Sequence, residues 1–250
     1  MTKILVALST FNRKVVTELC LNNLKEILDD DIKLVIYDDA STTYDRKFLL
    51  NYTKDVLQFR ISGGIERSRA RAFRDFVYIY KDYELLYITD NDSIHDPEFF
   101  SVLRDLYTVS SVSFEKPMPM GFFNSVFHSQ EKNIIKEEED ISIRKTCPGI
   151  SQCYTRSMVS KIVDFLNTNP VYETAYGFDY FWPQQLGVPF IQTKTSYLEH
   201  FARDRNEKGI HSSKSENNPR ADFDRDRALN PTPYLKEIRE KIISHILNIS

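Results

Sequence analysis

Two carboxylates stand one residue apart in Thr89-Asp90-Asn91-Asp92, directly after an apolar run from Leu85 to Ile88. Such a run reads as a buried strand, so the pair lies at a strand end. Asp-x-Asp in that position can supply oxygen ligands to a hard divalent cation. Mg2+ or Mn2+ takes one or two carboxylates and completes its shell with phosphate oxygens and water. A calcium loop of the EF-hand type is excluded. Its fifth position wants an oxygen ligand and its sixth a glycine, and here they are Ile94 and His95.

The elements around the pair give it an address. The segments 4–8, 33–39 and 84–90 are apolar enough to be buried strands, and 56–61 reads as another. Between them, 15–28, 44–54 and 66–83 have helical spacing. This alternation predicts an α/β fold: a mostly parallel, Rossmann-like sheet flanked by helices with right-handed crossovers. Ligands of such folds bind where the carboxyl ends of the strands converge. Three ends are polar: Ser9-Thr10-Phe11-Asn12-Arg13, Asp38-Asp39-Ala40-Ser41, and the Asp90/Asp92 pair. Asp38 and Ser41 also suit ordinary turn chemistry.

Four short patterns in order, over residues 3–100, resemble the GT-A-fold glycosyltransferases, in particular the inverting family 2. They are Ser-Thr-Phe-Asn-Arg at 9–13, Tyr-Asp-Asp-Ala-Ser at 37–41, Ser-Gly-Gly-Ile-Glu-Arg-Ser-Arg-Ala-Arg-Ala at 62–72, and Thr-Asp-Asn-Asp at 89–92. The resemblance implies a nucleotide-diphosphate sugar as donor and a glycan or other hydroxyl as acceptor. It implies Thr10, Asn12, Arg13 and Asp39 at the nucleotide, Asp39 being suited to accept a hydrogen bond from a pyrimidine N3–H. Arg67 and Arg71, one helical turn apart, would meet the base or diphosphate, or brace the acids. Asp92 would ligate Mn2+ or Mg2+, with Asp90 at the ribose or sharing the metal, and the late His200 as a further metal ligand. Asp179, in Gly177-Phe178-Asp179, would deprotonate the acceptor hydroxyl, which then attacks with inversion. Its competing reading is a helix N-cap. Tyr176, Phe178, Tyr180 and Trp182 can stack on a sugar or simply fill a core.

The second half is less regular. Segments 98–107 and 156–167 have helical spacing; 120–127 and 189–201 look strand-like; 128–145 is a charged excursion or hairpin. One transferase domain is expected over 1–227. Its nucleotide half covers about 1–100 and a smaller mixed acceptor-side half about 101–202, followed by a loop or lid at 203–227. An amphipathic helix spans 228–250, with Leu235, Ile238, Ile242, Ile246 and Ile249 on one side.

Composition narrows the classes further. The 250 residues are 41% apolar and 28% charged, with a net charge of −3, so no basic footprint for nucleic acid stands out. No window reaches the ~18–20 apolar residues of a membrane span. The apolar part of Lys3-Ile4-Leu5-Val6 is short for a secretory signal, which makes a cytoplasmic protein with reduced thiols the expectation. Neither GxxxxGK[ST] nor GxGxxG occurs among its seven glycines. Three other readings stay open. A haloacid-dehalogenase-type phosphatase would use Asp90-Asn91-Asp92-Ser93-Ile94 as its nucleophile motif, although that motif usually ends the first strand of its domain. A sugar nucleotidyltransferase would want a glycine-rich loop after the first strand, where Ser9–Val16 has none. A domain that binds nucleotide or glycan without turnover is the third.

Overall fold

The computed structural model describes residues 2–113, 118–125, 129–170, 187–201 and 227–249. The predicted alternation is present in β1 (Ile4–Thr10), α1 (Lys14–Ile27), β2 (Ile32–Asp38), α2 (Arg46–Leu50), β3 (Val56–Gln58), α3 (Ile65–Tyr78) and β4 (Leu85–Asp90). Then follow β5 (Ser93–His95), α4 (Phe99–Ser113), β6 (Met120–Gly121), β7 (Ile134–Glu137), β8 (Ile141–Arg144), β9 (Ser151–Thr155), α5 (Arg156–Thr168), β10 (Phe190–Thr193), β11 (Leu198–His200) and α6 (Pro233–Ile249).

Among the described residues the main sheet runs β3-β2-β1-β4-β9-β6-β10-β8-β7, and β5 and β11 form a separate ribbon. Pairings from β3 through β4 are parallel. Beyond β4 the sheet is mixed, with β9 antiparallel to both β4 and β6. This matches the expected mostly parallel sheet with a smaller mixed part. β1 is buried throughout, and its alternate residues serve two cores. Ile4, Val6 and Leu8 join one with α1 and α4; Leu5 and Ala7 join the other with α3 and α5. A strand covered on both faces reads as a continuous apolar run, which is why 4–8 was visible in sequence.

Several boundaries differ from the sequence expectation, each for a local reason. The strand at 56–61 leaves the sheet after Gln58; Phe59 N still donates to Asp38 O (2.9 Å), and Ile61 is exposed. The helix expected to reach residue 83 ends at Tyr78. Arg156 there collects the carbonyls of Phe76, Tyr80 and Tyr83, satisfying the helix end and the turn after it. The helix expected over 44–54 has only five residues, started by Asp45, whose side chain accepts from Phe48 N (3.0 Å). Segment 189–201 is two strands in two different sheets, and 128–145 contains the β7–β8 hairpin. Of 120–127, only Met120 and Gly121 are strand among the described residues. No helix among the described residues is long and apolar enough to cross a membrane.

The C-terminal helix α6 lies on the β5–β11 ribbon. Leu235, Ile242 and Ile243 form a small core there with Ile94 and Phe201.

Candidate active site

The parallel register brings the polar strand ends into one row. Thr10 stands opposite Asp38, and Ser9 opposite Asp90. β1 connects to β2 on one side and pairs with β4 on the other, so chain order reverses between β1 and β4. In open α/β sheets such a switch point is where ligands bind.

Asp38 and Asn12 fasten the end of β1 to the loop after β2. Asp38 is fully buried and accepts from Thr10 Oγ1 (2.9 Å), Gln58 Nε2 (2.9 Å), Ser41 N (3.0 Å) and Ser41 Oγ. Asn12 has φ 50°, and its Oδ1 accepts from Thr42 N (2.8 Å). Asparagine tolerates that left-handed conformation better than most residues. Thr10 and Asn12, both expected at the nucleotide, are therefore buried residues that join the β1 end to the loop after β2.

Asp39 faces the other way. Its Oδ1 accepts from Gly63 N (2.8 Å), and its Oδ2 from Gly64 N (2.9 Å) and Ser62 Oγ (2.6 Å). Gly64 adopts φ 86°, ψ 169° as it caps α3, a conformation that essentially only glycine adopts. The turn before α3 is thus fastened to the end of β2 through this one carboxylate.

Of the arginines on α3, Arg67 and Arg71 bond elsewhere. Arg67 Nη1 donates to Ile61 O (3.2 Å) and its guanidinium lies over the Phe59 ring; Arg71 Nε donates to Asp75 Oδ1 (2.7 Å). Arg69, which the sequence reading passed over, reaches the acids. Its Nη2 donates to both oxygens of Asp90 (3.2 and 3.0 Å) and to Gly149 O (3.0 Å). The signal was its spacing: Arg69 shares the helix face of the buried Phe73 and Phe76, where a charge must have a partner.

Asp92 is gripped by two other elements. Arg13 Nη1 lies 2.7 Å from its Oδ2, while Nη2 of the same guanidinium donates to Asn91 Oδ1 (2.8 Å). His200 Nε2 stands 3.1 Å from the same Asp92 oxygen. Burial pushes the Asp92 carboxyl up, but Arg13 and His200 outweigh it and hold the group well below the usual carboxylate range. Asp90 moves the opposite way: burial raises its pKa, and the neighbouring Asp92 adds to this against the pull of Arg69. Two neighbouring carboxylates thus have environments of opposite sign.

No group of three or more His, Cys, Asp or Glu residues among the described residues is arranged to hold a metal ion. What does converge is the pair Asp92 and His200, an oxygen and a nitrogen donor, with the Asp90 carboxylate on the same strand end. That donor set fits Mn2+ or Mg2+ bound with phosphate oxygens, which needs only one or two protein carboxylates. Asp179 and the aromatic residues at 176–182 lie outside the described residues.

The fold has a GT-A-type architecture: a large sheet, parallel in its first half and flanked by helices, with a small antiparallel ribbon beside the acidic strand end. The solved structures it resembles include S. aureus TarS 1–349 in complex with UDP-GlcNAc, at 16% identity and a TM-score of 0.58, over 85% of this chain and 62% of that one. TarS 1–349 in complex with UDP matches at 15% identity and a TM-score of 0.56, over 79% and 60%. A mannosyltransferase from Pyrobaculum calidifontis, in complex with GDP-Man and Mn2+, matches at 14% identity, a TM-score of 0.47, and 64% and 46% coverage. The chain spans about 60% of the TarS 1–349 length. No family model and no curated protein matches it.

Proposed function

We propose that the protein is a metal-dependent glycosyltransferase that moves a sugar from a nucleotide-diphosphate donor to a hydroxyl acceptor with inversion. The observation that carries this reading is the placement of Asp90 and Asp92. They stand at the topological switch point between β1 and β4, each held by an arginine from a different element, Arg69 and Arg13. The likeness to a fold solved with UDP-GlcNAc supports the donor class.

Each residue then has a task. The turn at Ser62–Gly64, fixed by Asp39, borders the nucleotide end, with Arg67 at its rim. Asp92 and His200 would hold Mn2+ or Mg2+ together with Asp90; when bound, the cation neutralises the diphosphate leaving group. Arg13 and Arg69 would add positive charge near the diphosphate through the acids they hold, and arginine's planar fork suits phosphate oxygens. Asp179 takes the proton from the acceptor hydroxyl as it attacks the anomeric carbon, opposite to the departing diphosphate.

The test is hydrolysis and transfer across a panel of UDP-, GDP- and dTDP-sugars with Mn2+. Turnover should disappear in Asp92→Ala and fall steeply in Asp179→Asn. A protein that binds nucleotide yet turns over no donor, in wild type as in both variants, would instead be a binding domain on this fold.

A further inference from the structure

Beyond the strand ends, one buried ion pair stands out because it is the immediate neighbour of His200. Glu199 is fully buried; its Oε1 accepts from Ala228 N (3.0 Å) and His200 N (3.3 Å) and forms an ion pair with Arg239 Nη1 of α6 (2.6 Å). Arg239 is itself buried and lies over the Phe201 ring. A second tether joins the helix to the other strand of the ribbon: Thr232 Oγ1, which also accepts from Leu235 N (3.3 Å), donates to Asp96 Oδ2 (2.5 Å).

Both tethers act on the ribbon that carries His200 and directly follows Asp92. His200 pairs with Ser93, the residue after Asp92, and Phe201 N donates to Asp92 O (2.8 Å). On a strand, Glu199 and His200 point to opposite faces. Glu199 is therefore pulled against α6 while His200 is turned to Asp92. An apolar contact alone would hold the ribbon near the helix. A buried carboxylate taking a guanidinium and the His200 amide on one oxygen also fixes the ribbon's rotation about its own axis.

We infer that Glu199 and Arg239 are positioning residues for the site: the C-terminal helix aims His200 at Asp92 through this ion pair. The inference rests on the proposed role of His200 and Asp92 at the metal, and it makes α6 a working part of the transferase domain. Removing the residues that hold metal ligands in place typically changes metal affinity by ~10–100-fold.

The experiment compares wild type with Glu199→Gln, Arg239→Ala and Arg239→Lys, reading Mn2+ affinity in the presence of UDP. Val159→Ala, a core truncation far from the ribbon, provides a melting temperature lowered without contact with the pair. Positioning predicts an affinity about tenfold weaker or worse in Arg239→Ala and Glu199→Gln, partial rescue by Arg239→Lys, and wild-type affinity in Val159→Ala. A merely structural pair predicts lower melting temperatures with unchanged Mn2+ affinity in every folded variant, which would overturn the inference. Amide hydrogen exchange at Phe201 separates this from failure of the metal reading. If wild type with UDP binds no Mn2+, the metal role falls. Faster exchange at Phe201 in Arg239→Ala than at the β1 amides then still upholds the clamp on Asp92, and unchanged exchange refutes it.

Discussion

Arg69 Nη2 donates to both carboxylate oxygens of Asp90 while also bonding Gly149 O, so one side chain ties α3, the end of β4 and the loop before β9 together. The pair is largely shielded from water, and breaking a buried pair leaves an uncompensated charge.

Arg69→Ala should therefore cost about 3–5 kcal/mol, the range for removing one partner of a buried pair. Arg69→Lys should recover only part, because an ammonium is more strongly hydrated than a guanidinium and costs more to bury. Urea midpoints of the two variants check this. A loss below about 1 kcal/mol in Arg69→Ala would mean that Asp90 is solvated or protonated instead.

Gly64→Ala should destabilise by about 1–3 kcal/mol, since φ 86° with ψ 169° excludes a β-carbon on backbone grounds. The relaxed turn withdraws the Gly64 N–H from Asp39, so UDP affinity should fall as well. Thermal melts and UDP titration on the same sample read both effects. Normal stability with normal UDP binding would contradict the account of this turn.

His95 gives a pH prediction. It is fully buried, its Nε2 is 2.8 Å from Tyr87 OH, and Nδ1 has no partner among the described residues. Burial lowers its pKa to about 3. Between that value and an unfolded value of about 6.5, the unfolded chain holds a proton that the folded chain refuses. Stability is thus fully present above about pH 6.5 and falls as pH drops, by at most about 1.4 kcal/mol per unit from this group. The raised pKa of Asp90 works in the opposite sense, because protonation relieves its burial. His95→Gln should flatten the slope between pH 6.5 and 4.5 in urea titrations; an unchanged slope would assign the acid sensitivity elsewhere.

How much of this was legible in sequence depended on whether the signal was local. β1, β2 and β4 were visible as apolar runs because each is buried on both faces, and the acids at their ends follow from the chain itself. Arg69 was not chosen because Arg67 and Arg71 form the obvious helical pair. The buried face is instead defined by Phe73 and Phe76, whose packing partners lie in distant segments such as Tyr154. The same holds for Glu199 and Arg239, which are 40 positions apart and meet only because α6 folds back on the ribbon. The insertion of β9 between β4 and β6 has no local signature either, since strand neighbours in the mixed half are set by long-range pairing. The hairpin within 128–145 could be anticipated, but its place at the sheet edge could not.

The measurement closest to the central claim is calorimetric titration with UDP, GDP and dTDP, each with and without Mn2+, on wild type and Asp92→Asn. The account predicts that at least one nucleoside diphosphate binds wild type tenfold or more tightly when Mn2+ is present, and that Asp92→Asn loses this gain. Absence of Mn2+-dependent binding to all three in wild type would contradict it.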